Sequence, residues 1–251
     1  EMCIRDRARL GRWPYDDRVA HLVLLDHHMV PTTTDIAEWV ADAGATGARV
    51  VRTGALFPDS TTPFLESGFR VADTLTLLER TLLERTLLEQ TLPDRAPVTR
   101  STGSDPIPQA PRSVRLRRLR PSMLHEAAEI DRRSFSSPWA NDSSALADIM
   151  TATPYHRSRS VHLDGRMVAF SISGRADRSG YVQRLAVDPS ARRRRFAQLL
   201  LDDALRWMQR RDVSRVMVNT AADNRPALAL YGSIGFERQP GALLILERVL
   251  Q

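Results

Sequence analysis

Residues 93–112, PDRAPVTRSTGSDPIPQAPR, carry five prolines and almost no apolar periodicity. Proline donates no backbone hydrogen bond and pushes the residue before it toward extended backbone, so neither a helix nor an interior strand passes through such a stretch. The segment reads as an extended, flexible linker. It divides the chain into an N-terminal half over residues 1–92 and a C-terminal half over residues 113–251. The two sides differ in charge: residues 1–92 hold 10 Arg and 14 Asp+Glu (net −4), and residues 93–251 hold 26 Arg and 16 Asp+Glu (net +10). Every basic residue is arginine, which excludes Schiff-base and P-loop lysine chemistry. An anionic partner is expected on the basic side, although arginine enrichment throughout the chain accounts for much of the count.

Just before the linker, LLERTLLERTLLEQTL (77–92) repeats a five-residue unit. A period of five fits neither strand nor helix, so its leucines do not share one face; the tract reads as a strand end followed by an expanded repeat. The opening EMCIRDR resembles adapter sequence rather than a natural start, and residues 1–18 are expected to be poorly defined. No apolar run approaches the roughly 20 residues that span a bilayer, and no N-terminal segment reads as a secretion signal. Cys3 is the single cysteine, so an intrachain disulfide and a cysteine metal cluster are excluded, and a cytoplasmic protein is expected.

Beyond the linker, VRLRRLR (114–120) alternates as a half-buried strand does. A helix follows from Pro121, with Met123, Leu124, Ala127, Ala128 and Ile130 on its apolar face, and FSSPW (135–139) ends it. A short helix over 141–150 precedes strands near 159–163, 166–174 and 180–187, then a helix over 191–210 with Phe196, Leu200 and Ala204 on one face. A strand at 215–220, a helix from Pro226 to Tyr231, and strands near 234–238 and 242–249 complete an α/β half.

The order of these elements, LAVDP at a strand end, the arginine turn RRRR (192–195), and DNRPALALYGSIGF (223–236) together resemble the GCN5-related N-acetyltransferase (GNAT) family over the whole of 113–251. The resemblance implies the GNAT fold, a mixed central sheet whose fourth and fifth strands splay apart, flanked by helices. It implies acetyl-CoA as co-substrate and no metal. The family's turn after the fourth strand cradles pyrophosphate with backbone N–H groups at a helix N-terminus. Carried over by position, the turn is Arg192, Arg193, Arg194, Arg195, Phe196, Ala197 and Gln198, with Arg195 where the family has glycine. Arginine cannot freely adopt positive φ, so Arg195 is expected to keep helical dihedrals and turn outward, with the neighbouring guanidiniums compensating. The backbone of Leu185, Ala186 and Val187 matches the contacts to pantetheine and thioester, Asn224 matches a pantetheine contact or serves as the helix N-cap, and Tyr231 matches the acid that protonates the departing thiolate.

The C-terminal half resembles the ribosomal-protein alanine acetyltransferases, where a glutamate base stands five residues before that asparagine; here the position is Asn219, which takes no proton. Phe135 and Trp139 match that branch's substrate side and favour a protein or peptide amine as acceptor. The N-terminal half shows a second likeness: RVVRTGALFPDSTTPFLESGFRVADTLTLLER (49–80) aligns with RVMVNTAADNRPALALYGSIGFERQPGALLILER (215–248), Gly68–Phe69 falling on Gly235–Phe236. Residues 19–82 thus read as a partial, degenerate copy of the same domain: strand 19–26, helix 34–43, strand 48–53, then a pair of strands at Gly68–Phe69. Phe64 replaces the tyrosine and the phosphate turn is absent. His27 and His28 follow Asp26, but no third metal ligand is evident. The tandem order also resembles mycothiol synthase, which keeps a small-molecule amine as the alternative acceptor. A non-catalytic acyl-CoA sensor remains open on the Arg195 and Asn219 departures. Nucleic acid is disfavoured, because no aromatic platform interleaves the arginines, and no membrane partner is expected.

Overall fold

The computed structural model describes residues 3–5, 7–26, 29–82, 114–135 and 138–250. The proline-rich linker, the pentad repeat beyond Leu82, and His27 and His28 lie outside the described residues. The chain folds as two compact units that do not follow chain order. One comprises residues 1–80, 137–145 and 217–251, the other residues 81–136 and 146–216.

In the first unit the strands are β1 (Cys3–Arg5), β2 (Ala8–Trp13), β3 (Asp16–Leu24), β4 (Val50–Thr53), β5 (Arg70–Thr81), the greater part of β10 (Arg215–Ala221) and β11 (Glu237–Val249). They lie in the order β1-β2-β3-β4-β11-β5-β10. The sheet is mixed: β3 runs parallel to β4, while β11 is antiparallel to both β4 and β5. Residues 1–18 were expected to be poorly defined, yet β2 pairs with β3 and buries Ala8, Leu10 and Trp13. The alternation of ARLGRW carried that signal, and β3 supplies the partner it needs.

Helix α1 (Thr33–Ala45) buries Ile36, Trp39 and Ala43 against Leu22, Leu24, Val51, Phe64, Phe69 and Leu246. Its N-terminus is closed by a capping box: Thr32 Oγ1 accepts from Asp35 N–H (3.1 Å) and the Asp35 carboxylate accepts from Thr32 N–H (2.9 Å).

The aligned Gly-Phe segments have the same local structure. Helix α2 (Thr61–Glu66) and helix α6 (Arg225–Ser233) both end in a glycine at φ +82°, Gly68 and Gly235. Phe69 N–H bonds to Phe64 O (3.1 Å), and Phe236 N–H bonds to Tyr231 O (3.0 Å). The ring pairs match as well, Phe64–Phe69 at 5.2 Å and Tyr231–Phe236 at 5.7 Å. The strands that follow, β5 and β11, lie against each other in antiparallel register from Glu79↔Glu237 to Arg70↔Glu247. Their far ends reach back reciprocally. Arg80 Nη1 donates to Ile234 O (2.6 Å), and Arg248 Nη1 donates to Ser67 O (2.9 Å). The expected pair of strands after each Gly-Phe is in both cases a single strand. In β11 the register slips between Arg238 and Ala242, where Pro240 has no N–H to give the ladder and Gly241 takes φ +80°.

Between β3 and β4, His21 stands opposite Arg52. The Arg52 guanidinium bonds twice to Glu247 (2.7 and 3.1 Å) and lies over the rings of Trp13 and Trp139 at 4.6 and 5.5 Å. Trp13 Nε1 donates to Pro138 O (2.8 Å), Arg12 pairs with Asp142, and Tyr15 Oη donates to Asn141 O (3.3 Å). These contacts hold the 138–142 segment on the β2–β3 turn.

The second unit holds an antiparallel sheet, β6 (Val114–Arg118), β7 (Tyr155–Leu163), β8 (Arg166–Ala176) and β9 (Ser179–Val187), in the order β9-β8-β7-β6. Alternate residues of β8 feed two faces. Phe170 and Ile172 meet α3 (Leu124–Ser134) through Leu124, Ala127, Ala128 and Ile130, together with Leu146 and Met150 from α4 (Ser143–Thr151). Ala169, with Val161, meets Phe196 and Leu200 of α5 (Phe196–Gln209). Strand β7 starts at Tyr155, four residues before the expected start, because its arginines find a partner on α5. Arg157 binds both oxygens of Asp203 (2.6 and 2.9 Å) and Arg159 adds a third bond at 3.2 Å. Burial works against ionisation of Asp203, but Arg157 and then Arg159 outweigh it and hold its carboxyl below the usual range.

Two consequences can be measured. Asp131 on α3 is fully buried and accepts both arms of Arg184 at 2.6 Å, so Asp131→Ala is expected to lower stability by about 3 kcal/mol in urea unfolding by leaving the guanidinium unpaired; a loss below about 1 kcal/mol would show the pair to be dispensable. His21 is held neutral, its pKa lowered to about 4 by burial and then by Arg9 and Arg52. The unfolded chain therefore binds the extra proton between about pH 6.5 and 4, and stability present above that window is lost as pH falls through it, by on the order of 2–3 kcal/mol. Urea midpoints at pH 7 and pH 4.5 should show a smaller drop for His21→Gln than for the parent chain, and equal drops would remove His21 as a cause.

Candidate functional site

In the second unit, β9 ends at Leu185, Ala186 and Val187, with Ala186 buried toward α3 and its neighbours packed on the α5 side. Ser134 Oγ donates to Val187 O (3.1 Å), which ties the end of α3 to the end of β9. The next residue, Asp188, starts the turn: its carboxylate accepts from Ser190 N–H (3.0 Å), Ser190 Oγ (2.6 Å) and Arg133 (2.8 Å). Burial opposes its charge, but the bonds from Ser190 and then Arg133 prevail and hold the carboxyl below its ordinary value. A single 3-10 turn, Pro189–Ala191, buries Ala191 and delivers the chain to the four arginines.

The four arginines are not equivalent. Arg192 is a strut: its Nη2 donates to Ser134 O (3.2 Å) and its Nε to Val187 O (3.4 Å). Arg193 and Arg195 both take φ +61°, and Arg195 is the N-cap of α5 with ψ +17°. The expectation that Arg195 keeps helical dihedrals is therefore corrected. The backbone holds the left-handed conformation that glycine would supply, at a cost of about 1 kcal/mol per residue. Packing decides it, because Ala191 and Phe196 are both buried and the four residues between them must reverse the chain. The helix expected from residue 191 starts at Phe196 for the same reason.

No side chain caps α5, in contrast to α1. The N–H groups of Phe196, Ala197 and Gln198 in its first turn thus lack the partner that Thr32 gives Asp35, at the positive end of a 14-residue helix. Arg193, Arg194 and Arg195 are exposed and have no hydrogen bond or ion pair among the described residues. Uncapped N–H groups beside three exposed guanidiniums have the chemistry to attract a multiply charged anion.

The remaining candidates divide between the units. Phe135, in the second, lies beneath the Arg184 guanidinium at 3.6 Å, so it belongs to the buried Asp131–Arg184 pair. The signal for that pair was a lone arginine inside the apolar run YVQRLAV. In the first unit, Asn224 is the N-cap of α6: its Oδ1 accepts from Ala227 N–H (3.2 Å) and its Nδ2 donates to Thr220 Oγ1 (3.1 Å). Asp223 is exposed beside it. Tyr231 is 6% exposed, packed on Phe236. Asn219 is an exposed residue of β10, and Trp139 is held in the Trp13–Arg52 cluster. Trp13 and Arg52 were not singled out in the sequence, because only the paired β3 and β4 bring them to Trp139. Among the described residues no group of three or more metal-ligating side chains converges, and no helix is long and apolar enough to cross a membrane.

The acetyltransferase (GNAT) family profile matches residues 124–236. A putative [ribosomal protein bS18]-alanine N-acetyltransferase of Bacillus subtilis (strain 168) is 24% identical over 128 residues, 51% of this chain and 82% of that protein. The [ribosomal protein bS18]-alanine N-acetyltransferase of Escherichia coli (strain K12) is 26% identical over 113 residues, 45% of this chain and 74% of that protein. Among solved structures, a tandem GNAT protein from the clavulanic acid biosynthesis pathway superimposes with a TM-score of 0.61 over 96% of this chain and 78% of that one; at 14% identity it speaks to fold alone. Profile and relatives agree on the same stretch: residues 124–236 form a GNAT acetyltransferase domain.

Proposed function

We propose that the chain is an acetyl-CoA-dependent N-acetyltransferase acting on a primary amine, with a peptide or protein N-terminus as acceptor. The observation that carries the cofactor is the uncapped N-terminus of α5, entered through Arg193 and Arg195 at positive φ and lined by three unpaired guanidiniums. In this reading the N–H groups of Phe196, Ala197 and Gln198 hold the pyrophosphate, Arg193 and Arg194 add charge, Arg195 contributes its backbone, and Arg192 fixes the loop to α3. The backbone of Leu185 to Val187 lies along the pantetheine arm. Acetyl-CoA supplies an activated thioester. The chain's own contribution is to orient the amine, to take its proton, and to give one from the Tyr231 hydroxyl to the leaving sulfur. Asn224 serves chiefly to start α6 and thereby to place Tyr231 two turns on.

The acceptor reading rests on Phe135 and Trp139 and on the names of the relatives, which acetylate a ribosomal-protein alanine. A small amine, as in mycothiol synthase, is the second reading, favoured by the matching Gly-Phe segments of the two halves. We read residues 19–82 as a second copy without activity. Its helix N-terminus is closed by Thr32 and by the negative Asp35, which repels phosphate, and Phe64 has no hydroxyl. A cytoplasmic location is part of the same reading.

Calorimetric titration of acetyl-CoA, with ATP for comparison, should give one site per chain and weaker ATP; no heat with acetyl-CoA would end the transferase reading. Tyr231→Phe is expected to lower kcat by about 10- to 100-fold with acetyl-CoA affinity within about twofold; an unchanged kcat would remove Tyr231 from the reaction. Arg195→Gly is expected to raise stability by about 1 kcal/mol and leave acetyl-CoA affinity unchanged, because glycine takes positive φ without strain. A large loss of affinity would show that the Arg195 side chain itself grips the phosphate.

A further inference from the structure

Asn219 leaves the transferase reading without a group to take the amine proton, and the sheet of the first unit brings one from elsewhere in the chain. Strands β5 and β10 are neighbours. Ala222 N–H donates to Thr74 O at 3.0 Å at one end of the pair, and Leu82 N–H donates to Ser214 O at 2.8 Å at the other. The two contacts are separated by the same number of residues on each strand, so the antiparallel register between them is continuous. It sets Leu77 opposite Asn219 and Glu79 opposite Met217. Met217 and Asn219 are two apart on β10 and share a face, so Glu79 stands diagonally across from Asn219 on that face, within reach of a glutamate side chain. The buried Val216 and Val218 point the other way, as does Leu78.

Glu79 is half-buried and has no hydrogen bond or ion pair among the described residues. Its neighbour across β11 is a second carboxylate, Glu237, also without a cationic partner. Like charges directly opposite weaken a sheet, whereas Asp131, Asp188 and Asp203 each face an arginine. The carboxylate beside Asn219 thus gains no stability from its partner across β11.

We infer that Glu79, contributed by the N-terminal half, is the general base of the acetyl transfer. The inference rests on the transferase reading above. The Glu79 carboxylate takes one proton from the acceptor ammonium, and the freed lone pair forms the N–C bond as the thioester C–S bond breaks. The leaving sulfur takes the Tyr231 proton, and the second nitrogen proton restores Tyr231. On this assignment the N-terminal half is without its own activity and still completes the active one.

The test follows thiol release from acetyl-CoA by the full-length chain, with an alanine-starting peptide as probe acceptor, from pH 5.5 to 9. Turnover by the parent chain establishes the transferase reading. Glu79→Gln is then expected to lower kcat about 100-fold with unchanged acetyl-CoA affinity, to lose the acid limb of the kcat profile, and to regain much of the rate when Asn219→Glu is added. Glu79→Asp should keep the acid limb at a reduced rate. An unchanged kcat and profile in Glu79→Gln overturns the assignment and leaves the transferase reading intact. Loss of turnover in Glu237→Gln alone gives the role to the opposite carboxylate and likewise overturns it. No turnover by a parent chain that binds acetyl-CoA defeats the reading and the inference together.

Discussion

The ladder between β5 and β11 is the interaction on which the first unit depends. Each strand follows a glycine at φ +82°, each is antiparallel to the other, and each ends in an arginine that reaches back to the turn before the other strand. The arrangement is close to a local two-fold, and it alternates segments from the two ends of the chain, β4, β11, β5, β10. Neither segment can complete its pairing alone. Removing either strand would expose a row of unpaired backbone groups at the centre of the sheet, which is why residues 1–80 and 217–251 form one compact unit despite their separation in sequence.

Arginine performs every cationic task in the chain, and the structure separates those tasks by burial. Arg184 and Arg157 are fixed by two-point bonds to Asp131 and Asp203, where the planar guanidinium matches a carboxylate in a way an ammonium does not. Arg80, Arg192 and Arg248 bond to backbone carbonyls. Arg193 to Arg195 are left exposed at the start of α5, which no side chain caps.

Much of this was legible. The alternation in β6, the apolar faces of α3 and α5, and the helix start at Asn224 and Pro226 all follow from period and capping chemistry that act within a few residues. The early start of β7, the β2 strand and the single-strand form of β11 were not legible, because each depends on a partner distant in sequence. Arg157 needs Asp203, Ala8 needs Leu24, and Ala242 needs Thr76 across a slip that Pro240 forces. The Arg195 conformation was misjudged because intrinsic preference was set against one residue, whereas the burial of Ala191 and Phe196 on either side fixes the path between them.

By itself the sequence determined the order of elements in residues 114–250 and which helix start carries the run of arginines, since these rest on short-range periodicity, capping and composition. The tertiary structure alone decided that the two Gly-Phe strands interleave, that Arg192 is a strut while its three neighbours are exposed, that Arg193 and Arg195 take positive φ, and that Glu79 stands beside Asn219. The physical reason is the same in each case. Strand periodicity tells which side of a strand faces inward but not which strand lies beside it, and that choice is made only when distant segments bury each other.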